Sequence, residues 1–297
     1  MTKNEMLRFV KNSFPDLTIN DIQVNNRGWD NDILIVNEKI VFRFPKSNNL
    51  LSVIVEEGKL LEILRAKEPL LHIPNYGFVY SDNELKGVTY SLIEGKSLNQ
   101  ITIPNLRDNP VNARVIGDFL TKLHSLDVSS REITLKTTHT LSYWEDLYSN
   151  VTSALYPFIN KQQVYDIDHF FTNFIEVFPR LTFKKSVIHG DLTASNIIYN
   201  QEKKGISGII DFTDAQIGDP AFDFAGLYWD FGPDFTKDVL HWYSGNETSN
   251  SLYNRVKAFY GLQPVFHELL YAVKNRQQVN WETALEKFSS LYELTKK

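Results

Sequence analysis

A chain of 297 residues is longer than a single core usually fills, so two lobes are expected. With 42% hydrophobic and 23% charged residues it has an ordinary soluble composition, and a formal charge of −5 argues against a general nucleic-acid binder while favouring a cationic ligand. No cysteine is present for disulfides or thiolate metal sites, no apolar run reaches the roughly 18 residues of a membrane span, and Met1 to Glu5 lacks a signal-peptide core, so a cytoplasmic protein without membrane contacts is expected.

In chain order, Glu5 to Asn12 reads as a short amphipathic helix with Met6, Phe9 and Val10 on one side. Ile33 to Val36 and Ile40 to Phe44 are β-rich runs about Asn37-Glu38-Lys39, a hairpin. Alternation puts Ile40, Phe42 and Phe44 on one face and Val41 with Arg43 on the other. Ile54 to Leu64 is helical, and Phe78 to Tyr80 and Val88 to Ile93 are two more strands turning at Ser81-Asp82-Asn83. Residues 1–93 thus form a small, mostly antiparallel lobe with one packed helix. Glu94-Gly95-Lys96-Ser97 is the expected crossing into a mainly α-helical second lobe, 94–297. There, helices are expected over Ala113 to Leu126, in two pieces from Tyr143 to Phe178, and over Phe222 to Phe231, Thr236 to Tyr243, Leu252 to Tyr260, Pro264 to Lys274 and Trp281 to Leu294.

The most informative stretch is the octet His189-Gly190-Asp191-Leu192-Thr193-Ala194-Ser195-Asn196, followed by Ile209-Ile210-Asp211-Phe212. Phosphoryl transfer uses such a set: one carboxylate accepts the substrate hydroxyl proton, and an amide with a second carboxylate holds Mg²⁺ against the phosphates. Among seven His and 36 acidic residues a lone His-x-Asp means little. The context raises its value, because Val187-Ile188, Ile197-Ile198-Tyr199 and Ile206 to Ile210 read as short buried strands that would carry these groups on a rigid sheet.

Together with Ile210-Asp211-Phe212-Thr213-Asp214, Gly218-Asp219-Pro220 and Asp223-Phe224, the octet resembles the aminoglycoside phosphotransferase family, in appearance most like its 2″-phosphotransferase branch. The resemblance implies an α+β, two-lobed, protein-kinase-like fold. It also implies Asp191 as catalytic base, Asn196 and Asp211 as Mg²⁺ ligands, and ATP or GTP as donor. Arg43 stands where the family commonly has Lys, with Glu57 as its helix partner and Glu56 as second choice; the alternative is that Arg43 is a surface cation and Lys46 meets the phosphates. Gly28 would open a phosphate-binding loop with a single glycine, or simply a turn. The Ser91 carbonyl and Ile93 amide would hold the adenine edge.

Downstream of Asp211 the chain is acidic and aromatic, suiting a small, cationic, hydroxylated acceptor. Asp214, Asp230, Glu268 and Tyr271 are the candidate contacts, while Asp219 reads equally as a helix cap and Asp223 as a brace of the octet. His189 is read as a brace and His124 as a packing residue. An aminoglycoside is the leading acceptor. A macrolide, a choline-like amine and a sugar metabolite are alternatives, and a non-catalytic nucleotide-binding pseudokinase is a further one. A protein kinase is disfavoured because Phe212-Thr213 replaces Phe-Gly and no activation segment follows. The protein is expected to be a monomer or weak dimer.

Overall fold

The computed structural model describes residues 1–25, 30–129 and 133–296. It is a two-lobed, kinase-like α+β fold. Helix α1 (Lys3–Ser13) starts at a Thr2–Glu5 capping box and buries Met6 and Val10. An antiparallel sheet follows, made of β1 (Ile22–Asn25), β2 (Asn31–Val36), β3 (Ile40–Pro45), β4 (Gly77–Ser81) and β5 (Glu84–Ser91) in the order β1-β2-β3-β5-β4. Both hairpins turn through paired left-handed residues, Asn37 with Glu38 and Asp82 with Asn83, whose twist matches that of the flanking strands. Strand β1 escaped the sequence reading because its alternation is half-buried against exposed on a sheet edge.

The alternation read from Ile40 to Phe44 decides where the site lies. Phe42 and Phe44 join Met6, Val10, Leu34 and Val36 in a small core beneath the sheet. That turns Arg43 to the opposite face, toward α2 (Asn49–Arg65). The apolar face of α2 (Leu60, Leu61 and Leu64) packs into the large core of the second lobe instead of the sheet core. The helix therefore ties the two bodies together.

The chain crosses at β6 (Lys96–Ser97), which pairs with β8 (Ile197–Asn200). The second lobe is built from α3 (Val111–His124), α4 (Leu141–Leu155) and α5 (Lys161–Val177), then β7 (Ser186–Ile188), β8, β9 (Gly205–Ile209) and β10 (Gln216–Gly218). Helices α6 (Ala225–Trp242), α7 (Ser249–Arg255), α8 (Pro264–Lys274) and α9 (Glu286–Thr295) close it around Phe119, Trp144, Phe171 and Phe259. The two helices expected at 222–231 and 236–243 are the two pieces of α6, which meet at a kink where Gly232 is non-helical (φ 88°, ψ 171°) just before Pro233. The C-terminal end of the expected 252–260 helix is a π-helical turn, Val256–Tyr260. No helix among the described residues is long and apolar enough to cross a membrane.

Candidate active site

The loop 189–196 leaves β7, which pairs with β10, and returns into β8, which lies between β6 and β9, so two short sheets carry its two ends. Its first turn needs Gly190, whose φ is +81° and whose missing Cβ would lie 2.3 Å from the Asp214 carbonyl oxygen. His189 is fully buried; its Nδ1 lies 3.3 Å from the Asp191 amide and its Nε2 3.1 Å from the Ile210 carbonyl. An amide only donates and a carbonyl only accepts, so Nδ1 is bare and Nε2 carries the hydrogen. His189 is a brace between the octet and the Asp211 segment.

Asp223, 1% exposed, holds the loop from behind, accepting from the His189 amide at 2.8 Å and the Gly190 amide at 2.9 Å. Its third partner is His124 Nε2 at 2.9 Å, whose Nδ1 meets the Tyr243 hydroxyl at 3.0 Å, so His124 does more than pack. Burial alone would raise the Asp223 pKa, but the His124 hydrogen bond, with the Gly190 amide beside it, holds it below the ordinary carboxylate range. A depressed folded pKa gives stability that is present above the unfolded value near 3.9 and is lost as pH falls through the folded value. In urea titrations Asp223→Asn should lose about 3 kcal/mol at pH 7, and its deficit against wild type should narrow below about pH 4. A deficit independent of pH would remove the charge from this role.

Asp191 faces a cavity of about 500 Å³. Asn196, 6% exposed, donates Nδ2 to the Asp191 carbonyl at 2.8 Å and to its Oδ2 at 2.7 Å, which leaves the Asn196 Oδ1 as its acceptor atom. Burial first, then the charges of Asp214 and Asp211, push Asp191 up to about 7 against the pull of Asn196. Asp211 adopts a left-handed φ of 63°, tolerated by Asp better than by most residues. Its hydrogen bonds fall on Oδ1, from Arg43 Nη2 at 3.1 Å and the Thr213 hydroxyl at 2.6 Å. Asn196 and Asp211 offer hard oxygen donors, the kind Mg²⁺ takes in small number alongside water and phosphate oxygens.

Arg43 is 3% exposed and is no surface cation. Its Nη1 lies 2.9 and 3.1 Å from the two Glu57 carboxylate oxygens, while Nη2 reaches Asp211 and Thr213. Burial works against its charge, but Glu57 and Asp211 keep its pKa well above the ordinary value. Glu57 Oε1 also accepts from the Phe212 amide at 2.9 Å and the Tyr76 hydroxyl at 2.8 Å. One buried carboxylate thus links β3, α2 and the Asp211 segment. Glu56 instead accepts from the Thr134 amide at 2.6 Å, and Lys46 lies 3.9 Å from Asp32. Ser91 ends β5 opposite Ile40, and Ile93, 9% exposed, lies against Gly208 at the crossing. Gly28 lies outside the described residues.

A model of the phosphotransferase enzyme family matches residues 21–259. The chain belongs to that family. It is 23% identical to the uncharacterised Bacillus subtilis (strain 168) protein YcbJ, the match covering 89% of this chain and 88% of that one. Among solved structures, the GDP and kanamycin complex of APH(2″)-IIIa superposes with a TM-score of 0.78 at 23% identity, covering 99% of both chains. The macrolide 2′-phosphotransferase MphH from Brachybacterium faecium gives 0.67 at 17% identity, covering 96% of this chain and 97% of that one.

In this phosphotransferase the cavity beside Asp191 takes Asp214 and Glu268 into its wall, two of the four residues read as acceptor contacts. Asp230 is not in that wall: its Oδ2 accepts from the Ala194 amide at 2.7 Å, bracing the loop 189–196. Tyr271 lies outside the wall as well. Asp219 caps the turn at Ala221 and pairs with Arg255, both of its contacts being structural. His139, Tyr143 and His267 complete the wall and went unread, since single His and Tyr residues in a connecting segment and two helices carry no pattern. Burial lowers both histidines to about 4, so they present neutral rings. Thr213 and Tyr76, which join the Arg43 cluster, likewise had no signal of their own.

Proposed function

We propose that this phosphotransferase is a small-molecule kinase that transfers the γ-phosphoryl of ATP or GTP to a hydroxyl of an aminoglycoside-type acceptor, with Asp191 as base. The observation that carries the reading is the place of Asp191: it lines the acidic and aromatic cavity and is bonded to Asn196, while Asp211, bonded to Arg43, lies close enough for its charge to act on Asp191. Asn196, Asp211 and Arg43 we assign to the nucleotide side. The acceptor hydroxyl gives its proton to the Asp191 carboxylate as its oxygen bonds to the γ-phosphorus. The bond from phosphorus to the bridging oxygen breaks, and the nucleoside diphosphate leaves with that electron pair. A base poised near neutrality suits the step. Mg²⁺ held by Asn196 and Asp211 would offset phosphate charge. Arg43, fixed by Glu57, adds a second positive charge on that side, and most of the acceleration comes from positioning and charge neutralisation.

Asp214 and Glu268 supply carboxylates for ammonium groups, and the solved relative bound to kanamycin supports the aminoglycoside reading. The neutral rings of His139 and His267 favour a second one, a bulkier, less charged acceptor such as a macrolide. Intact Asp191, Asn196 and Asp211 weigh against a pseudokinase. Product release should be followed with kanamycin, erythromycin and choline, each with ATP and with GTP, and with Asp191→Asn as the blank. Turnover of at least one acceptor that vanishes in the blank is the expected result. Nucleotide hydrolysis indifferent to every acceptor would overturn the reading.

A further inference from the structure

A cation stands beside the Glu268 side of the acidic cavity, outside its lining. Lys287, exposed in the first turn of α9, places Nζ 4.4 Å from the centroid of the Trp229 ring. Trp229 is 7% exposed and donates its Nε1 hydrogen to Glu268 Oε1 at 3.2 Å, and Glu268 lines the cavity. Asp230 follows Trp229 directly. Burial raises the pKa of both Asp230 and Glu268, and the charge of Lys287 pulls both back down, which places its ammonium in the field of the two carboxylates. An indole face beside a carboxylate is what an amino group of a ligand would seek.

We infer that Lys287 is a specificity-determining residue: its ammonium holds the Trp229 face and the field of Glu268 that a further amino group of an acceptor would take, which weakens the hold on polyamines and leaves acceptors with one amino group untouched. The inference rests on the proposed reading of this cavity as the acceptor site. A polyamine must displace Lys287 or forgo that ground, whereas a compound whose single amino group binds deeper, beside Asp214, lies in the field of Lys136 and not of Lys287.

Calorimetric titration tests this with kanamycin, which carries several amino groups, and erythromycin, which carries one. Lys287→Met keeps the stem over Trp229 and removes the charge, and Met is a good helix former, so the fold is preserved. Kanamycin should bind Lys287→Met roughly fivefold tighter than wild type, Lys287→Arg should resemble wild type, and erythromycin binding should not change. The kanamycin gain should shrink in 0.5 M salt, since an exposed charge is screened there. Kanamycin binding that is equal or weaker in Lys287→Met overturns the role of Lys287 and leaves the kinase reading standing. Kanamycin bound by neither protein overturns both this inference and the polycationic-acceptor reading beneath it.

Discussion

In Asp191→Asn, kcat is expected to fall by roughly 10²–10⁴-fold, the usual contribution of a positioned general base, with the nucleotide KM almost unchanged. The amide keeps the shape of the carboxylate, and its oxygen can still accept the Asn196 Nδ2 hydrogen that now reaches Oδ2 at 2.7 Å. What it cannot do is take a proton. The wild-type carboxylate is buried in the field of Asp214 and Asp211, which is why its pKa rises to about 7. Removing that charge relieves repulsion, so thermal stability should hold or rise slightly, as when a functional site is relaxed. Single-turnover kinetics beside a thermal melt would show this inactive but no less stable variant. A kcat near wild type would sink the proposed role of Asp191, and a large fall in melting temperature would mean that the residue is chiefly structural.

The parts of this site that could be read in the sequence were those whose chemistry and spacing lie close together in the chain. Asp191 and Asn196 stand five residues apart on one loop, and Asp211 ends the next strand pair. Two-residue alternation put Arg43 on the face away from Phe42 and Phe44, and the structure turns it toward Glu57. Other contacts made at long range left no trace, unlike the Arg43–Glu57 pair and the Asp223 brace. Tyr76 meets Glu57 across 19 residues, His124 meets Asp223 across 99, and the cavity wall gathers His139, Tyr143 and His267 from separate elements. Asp230 shows a different limit: an acidic residue in an acidic, aromatic stretch reads as a ligand for a cation, and only the fold shows its oxygen spent on the Ala194 amide. Helix type failed where backbone geometry overrode apolar spacing, as in the π-helical turn Val256–Tyr260.

Arg43→Ala is expected to be the most damaging substitution on the nucleotide side, lowering stability and raising the nucleotide KM together. The guanidinium and the Glu57 carboxylate are only 4% and 1% exposed, so removing Arg43 strands a buried charge, a loss of about 3–5 kcal/mol. The Asp211 bond adds less, because that side chain is 48% exposed and its pairing is screened by solvent. Its weight is geometric: Nη2 fixes the carboxylate proposed to hold Mg²⁺. Arg43→Lys separates the two effects. A lysine can keep the Glu57 pair, but a single ammonium cannot present the two nitrogens that now bridge Glu57 and Asp211. Arg43→Lys should therefore melt close to wild type yet show a nucleotide KM raised by about threefold to tenfold, whereas Arg43→Ala should lose both. A nucleotide KM unchanged in Arg43→Ala would take Arg43 out of nucleotide binding and leave it as a strut between the lobes. An unchanged KM in Arg43→Lys alone would show that the charge beside Glu57 suffices and that the fork to Asp211 carries no catalytic weight.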